Sequence, residues 1–143
     1  MNREESLGYV INHVARKFAR ALYDEISHLG VVPGQFAQLL ALFEEDGISQ
    51  QELCEMVQIE QPTMANTLKR MERDGLIERV PHARDRRKHL IVLTDKARSL
   101  EERLIGAANR VNSAATKGLN RKEAGQLMAT LQLLGSNLDK RGE

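Results

Sequence analysis

The sequence predicts a mainly α-helical fold interrupted once, just past its midpoint, by a small β-hairpin. Three observations predict it. Apolar residues recur at threes and fours in four segments before residue 75 and two after residue 94, the spacing of helices with one buried face. That period stops between Leu76 and Leu93, where two short apolar runs, partly β-branched, flank a polar and basic stretch. Capping residues, prolines and glycines stand where helices must begin and end.

The first helix is predicted over residues 7–29, where Leu7, Val10, Ile11, Val14, Phe18, Leu22, Ile26 and Leu29 form one stripe. Gly30 suits the position just past its end. Pro33 opens the second helix, because the N–H that proline lacks would be unpaired in a first turn anyway. Phe36, Leu39, Leu40 and Phe43 are expected on its buried face, and Glu44-Glu45-Asp46 with Gly47 ends it. Ser49-Gln50-Gln51-Glu52 is a capping box, with Ile48 and Leu53 spaced as a hydrophobic staple. The third helix so begun is short and ends near Val57. Gln58-Ile59-Glu60 connects it to a fourth, which opens at Gln61-Pro62, buries Met64, Leu68 and Met71, and exits through Gly75.

Leu76-Ile77-Glu78-Arg79-Val80, closed by Pro81, reads as one strand, and Leu90 to Leu93 reads as its partner. The loop between them is not a tight two-residue turn, and nothing in its composition forces one conformation. Thr94 caps a long fifth helix carrying Ala97, Leu100, Leu104, Ala108, Val111 and Ala115. Asn120-Arg121-Lys122-Glu123 is a second capping box, and the last helix carries Ala124, Leu127, Met128, Leu131, Leu134 and Leu138.

Composition narrows the function classes. The 143 residues fit one domain, and 41% hydrophobic with 29% charged residues provide for a core and a solvated surface, which excludes disorder as the main state. No apolar run approaches the roughly 18–20 residues that cross a bilayer, and MNREESLGYV lacks a signal-peptide core, so a cytoplasmic protein with no membrane partner is expected. A single cysteine cannot make an internal disulfide; Cys54, inside the third helix, is expected to be a small buried residue. His13, His28, His82 and His89 form no i, i+4 pair and have no cysteine companions, so no metal site is expected. There is no glycine-rich phosphate loop, no nucleophile elbow and no close carboxylate pair with an accompanying base, so neither an enzyme nor a cofactor is expected.

The formal net charge of +1 argues against nucleic acid when taken as a sum. Its distribution argues the reverse. Residues 1–68 hold four basic and ten acidic residues, net −6, whereas residues 69–98 hold ten basic and five acidic, net +5. The remainder carries +2. The basic block falls on the fourth helix and the hairpin.

Two short helices joined by a tight turn and followed by a basic hairpin describe a winged helix-turn-helix. The second helix of such a pair presents its N-terminal side chains to base edges in the major groove of double-stranded DNA. Gln61, Pro62, Thr63 and Asn66 are the expected base-reading positions, since glutamine and asparagine make bidentate bonds to adenine. Ser49, Thr67, Lys69, Arg70 and Arg73 suit phosphates, which position a protein without reading sequence. In the hairpin loop, Arg84, Arg86, Arg87 and Lys88 pack four permanent cations into the eight residues from His82 to His89, suited to the backbone or a narrow minor groove. Asp85 is expected to brace one neighbouring arginine. The competing class is a helical module that binds protein instead of DNA, such as a corepressor or antirepressor.

The stretch ISQQELCEMVQIEQPTMANTLKRMERDGLIERVPHARDRRKHLIVLT resembles the DNA-binding lobe of the MarR/SlyA family of bacterial winged-helix regulators. The marks are the polar helix beginning at Gln61-Pro62-Thr63, the exit from Leu68 to Gly75, Leu76-Ile77-Glu78-Arg79, and Asp85-Arg86-Arg87 followed by Leu93-Thr94. The resemblance implies base reading around Gln61, Thr63 and Asn66, and a minor-groove arginine among Arg84, Arg86 and Arg87. Asn66 stands where many relatives carry arginine, and Ala97 replaces a frequent glycine.

The chain is then read as one domain, 1–143, with a winged lobe over residues 33–94 and helical dimerisation segments at 1–30 and 95–143. The first, fifth and sixth helices are more apolar than a lobe this small can cover, which suits a homodimer on an imperfect palindrome. Such a dimer would act as a transcriptional regulator, most simply a repressor. The resemblance further implies a small aromatic or anionic ligand between dimerisation helices and lobe. His13, Arg16 and Arg20, near Phe36 and Leu40, are the candidates here.

Overall fold

The computed structural model describes residues 1–142. Helix α1 (Leu7–Ile26) is capped by Ser6, whose hydroxyl accepts from the Tyr9 N–H, and continues as a 3-10 turn to a left-handed Gly30. Helix α2 (Pro33–Glu44) begins at its proline. A two-residue strand, β1 (Ile48–Ser49), precedes α3 (Gln50–Val57) and α4 (Gln61–Arg73). Strands β2 (Ile77–Pro81) and β3 (His89–Leu93) form the hairpin, and α5 (Asp95–Ala115) and α6 (Arg121–Asp139) follow.

The chain divides into two compact units, residues 1–108 and residues from 109 on, with α5 passing from the first into the second. The core of the first is made by Leu39 and Leu42 of α2, Leu53 of α3, Met64, Leu68 and Met71 of α4, and Ile77, Ile91 and Leu93 of the sheet. Burying side chains of this size stabilises by about 1.5–3 kcal/mol each. Ile26 closes the core from α1, and Ala97, Leu100, Leu104 and Ala107 close it from α5. The first half of the α5 stripe is therefore covered within the chain itself. In the second unit, α6 begins at the expected Asn120 capping box and buries none of its residues.

Two details differ from expectation. Leu40 lies exposed, and Leu42 with Gln35 and Gln38 is buried in its place. Four elements, α1, α3, α4 and β3, pack on α2 and widen its buried face beyond a single stripe. The sheet also has three strands, not two, in the order β1-β3-β2 and antiparallel throughout. Ile48 faces Ile91, so the residue before the capping box is tied to the hairpin as well as to its staple.

The junctions of the lobe are held by side chains. At the end of α4, Gly75 (φ +74°) supplies the left-handed turn, and the Leu76 N–H reaches the Met71 carbonyl at 2.9 Å. The Thr94 hydroxyl donates to the Gly75 carbonyl at 2.6 Å and accepts from the Ala97 N–H at 3.1 Å, so one residue both closes the hairpin and caps α5. Asp46 accepts from the Leu93 N–H at 2.9 Å and from the Arg98 guanidinium at 2.6 Å. Its acidic neighbours end α2, but Asp46 itself locks the sheet to the start of α5.

Candidate nucleic-acid interface

Helices α3 and α4 are joined by three residues, and the turn depends on Gln58. It adopts a left-handed conformation (φ 58°, ψ 50°), and its N–H returns to the Cys54 carbonyl at 2.7 Å. Glycine is the usual residue there, because a Cβ crowds the following carbonyl in that conformation. At the other end of α3 the predicted capping box is complete: the Ser49 hydroxyl accepts from the Glu52 N–H at 3.1 Å, and the Glu52 carboxylate accepts from the Ser49 N–H at 3.3 Å. The Ser49 oxygen, expected to face phosphate, is thus engaged in the cap.

Met64, Leu68 and Met71 anchor α4 with no exposure at all, which fixes the rotation of the helix about its axis. The opposite side is decided by the same 3.6-residue period. Gln61, Pro62, Thr63 and Asn66 are exposed, as are Lys69, Arg70 and Arg73, while Thr67 is half-buried. The polar uncharged residues lie at the helix entrance and the cations toward its exit. This helix can enter a groove with amides and hydroxyls leading and guanidinium groups beside the backbone.

The wing has a defined conformation, contrary to the expectation that nothing orders it. The half-buried His82 ring accepts through Nδ1 from the backbone N–H groups of Arg84 and Asp85, both at 3.1 Å. The Asp85 carboxylate accepts from the Arg87 N–H at 3.0 Å, the Lys88 N–H reaches the Asp85 carbonyl at 3.1 Å, and the His82 N–H reaches the Lys88 carbonyl at 3.0 Å. Asp85 acts on the backbone of an arginine, leaving the guanidinium groups to solvent. Arg84, Arg86, Arg87 and Lys88 are all exposed. Four cations held outward on an ordered loop repel one another until an anion screens them.

A polar chain that sequence spacing does not reveal links the sheet to the entrance of α4. Arg79 of β2 donates through Nη1 to Gln50 Oε1 at 3.4 Å, and Gln50 Nε2 donates to Gln61 Oε1 at 2.9 Å. On its other side the Arg79 guanidinium lies 4.0 Å from the Glu72 carboxylate. These residues come from α3, α4 and β2, and only the folded lobe assembles them.

At the exit of α4, Asp74 accepts from the buried Gln35 amide at 2.9 Å and from the Arg73 guanidinium at 3.2 Å. A carboxylate at a helix C-terminus opposes the helix dipole. The Gln35 bond, the Arg73 bond and the nearby charges of Arg73 and Lys96 compensate, and together they hold the Asp74 carboxyl below its ordinary range against desolvation. Elsewhere, burial pushes the Cys54 thiol up, with the Glu55 charge adding to it, as befits a packing residue. His13, Arg16 and Arg20 stand exposed on α1, with His13 stacked on Tyr9. Phe36 sits in the core and Leu40 at the surface.

A short brace helix, a polar second helix exposed at its entrance, and an ordered basic hairpin define the class of winged helix-turn-helix proteins. The MarR family model matches residues 32–89, which span the lobe from the start of α2 to the wing. Among solved structures, the transcriptional regulator PA3341 is 31% identical, covering 95% of this chain and 100% of that one at a TM-score of 0.79. CouR, a transcriptional repressor bound to a 23-mer DNA duplex, is 28% identical over 92% of this chain and 94% of that one, TM-score 0.83. A MarR mutant from E. coli complexed with operator DNA is 25% identical over 93% and 96% of the two chains, TM-score 0.84. The chain belongs to the MarR family of transcriptional regulators.

Proposed function

We propose that this protein is a DNA-binding repressor that reads a palindromic operator as a homodimer and is released by a small ligand. The observation that carries the DNA-binding reading is the exposed polar entrance of α4 beside a wing whose four cations are held outward by His82 and Asp85. Gln61, Pro62, Thr63 and Asn66 meet base edges in the major groove. Thr67, Lys69, Arg70 and Arg73, with the Ser49 end of α3, meet phosphates, and Arg84, Arg86, Arg87 and Lys88 follow the backbone into the minor groove. The duplexes bound by CouR and by the E. coli MarR mutant support the DNA-binding reading.

Homodimerisation is supported by two apolar faces considered separately. Val10, Val14 and Phe18 are exposed along α1, and Leu127, Leu131 and Leu138 along α6. Covering such faces with a second copy removes apolar area from water and sets two α4 helices at half-site spacing, about 10–10.5 bp apart. A small aromatic or anionic effector is assigned to His13, Arg16 and Arg20 with Phe36 and Leu40, where it would bias the dimer away from DNA.

Selection of bound sequences from a random duplex pool tests the operator, and sedimentation tests the assembly. The expected results are an imperfect palindrome and a dimer at micromolar concentration. Recovery of unrelated sequences, or a monomer, would contradict the corresponding part. A complete absence of duplex retardation would favour a protein-binding module.

A further inference from the structure

We infer that Arg79 and Gln50 set which bases Gln61 selects, by fixing the direction in which its side-chain amide points; the inference rests on the DNA-reading role proposed above. A guanidinium has hydrogen-bond donors only. The group that faces it at 3.4 Å from Gln50 must therefore be the carbonyl oxygen, and the Gln50 NH2 is turned the other way. That NH2 meets Gln61 at 2.9 Å and requires an acceptor, so Gln61 presents Oε1 to it. The donor-only character of one arginine is thus passed through two amides in series.

The consequence lies at the base edge. A free glutamine offers a donor and an acceptor and can match the N6 and N7 of adenine. Gln61 turns its oxygen toward Gln50 and leads toward a base with its NH2. In the major groove, guanine presents O6 and N7, adenine N7 and thymine O4 as acceptors, whereas cytosine presents only its N4 donor. Gln61 so oriented selects against cytosine. Glu72, 4.0 Å from the opposite side of Arg79, holds the guanidinium in register with Gln50. Gln50 and Arg79 are positioning residues; only Gln61 touches the base.

The test compares motifs selected from a random duplex pool by the full-length wild type and by Gln61→Ala, Gln50→Glu and Arg79→Lys variants. Gln61→Ala identifies the position that Gln61 reads, by relaxing it. At that position the wild type should disfavour cytosine by about fivefold to a hundredfold. A carboxylate at residue 50 has acceptors only, draws the Gln61 NH2 toward itself and exposes the Gln61 oxygen. Gln50→Glu should therefore admit cytosine, whose N4 donates to the exposed oxygen, whatever it does to overall affinity. A negative charge in the first turn of α3 favours that helix, so this variant is expected to fold, which circular dichroism checks. Arg79→Lys retains a donor-only partner and should keep the wild-type base. The inference is overturned if the wild type prefers cytosine there, if Gln50→Glu weakens binding without admitting cytosine, or if Gln61→Ala relaxes no position. A wild type that selects no motif at all overturns the DNA-reading role itself and this inference with it, an outcome separate from the other three.

Discussion

Asn66 is exposed on α4 five residues beyond Gln61, and nothing in the fold needs its amide. A mutation there should act on DNA alone. Asn66→Ala is expected to relax one base pair of each half-site at a cost of about 1–3 kcal/mol in binding, with the melting temperature unchanged. Equal affinity for operators varied at every position would show that Asn66 reads no base. Asp74 is the opposite case, a residue that acts on stability. Its carboxyl is held low in the folded state by Gln35 first and then Arg73, so the folded form binds its proton less readily than the unfolded chain. The stabilisation is complete above the unfolded value of about 3.9 and is lost as pH falls through the lower folded value. Wild-type melting temperature should fall over that acid range, and Asp74→Asn should remove part of the fall. An identical pH profile in the variant would show that the Gln35 and Arg73 bonds contribute nothing to folding.

At the level of elements, the caps were legible because they are local. Ser49 and Glu52, or Asn120 and Glu123, are three residues apart, and the backbone N–H groups they satisfy lie within the same turn. Gly75 and Pro33 were legible for the same reason. The turn between α3 and α4 was legible in length but not in strain, since glutamine gives no sign of a left-handed conformation. Gln58→Gly should relieve that strain, worth about 1–2 kcal/mol. Against this stands the greater chain entropy of glycine, about 0.5–1 kcal/mol. A small net gain in unfolding free energy follows, measured by denaturant titration; a loss would show that Gln58 makes a compensating contact. The order in the wing was not legible, because His82 and Asp85 act through backbone N–H groups that any residue supplies. Arg86→Ala leaves those bonds in place and should weaken binding to most duplexes about equally, reducing the salt slope by about one unit. An unchanged slope would place Arg86 away from phosphate.

Across the whole molecule, what escaped the sequence is what only folding brings together. A two-residue β1 has no strand pattern of its own and exists because Ile48 meets Ile91. Leu42 displaces Leu40 from the buried face because α2 meets four neighbouring elements. The Arg79–Gln50–Gln61 chain joins β2, α3 and α4 across 29 residues of sequence. The charge distribution, by contrast, was legible in full: ten basic residues against five acidic ones between 69 and 98 fall on α4, the hairpin and the first turn of α5. The acidic residues before it offset the total without lying on the exposed face of α4 or on the wing loop. A molecule so divided should bind DNA through local phosphate contacts despite a net charge of +1. The most direct measurement is the salt dependence of duplex binding by the wild-type protein. Each phosphate neutralised contributes about −0.9 to the slope of log K against log salt, so the account predicts a straight line with a slope of several negative units. Absence of retardation at low salt, or a slope near zero, would contradict it.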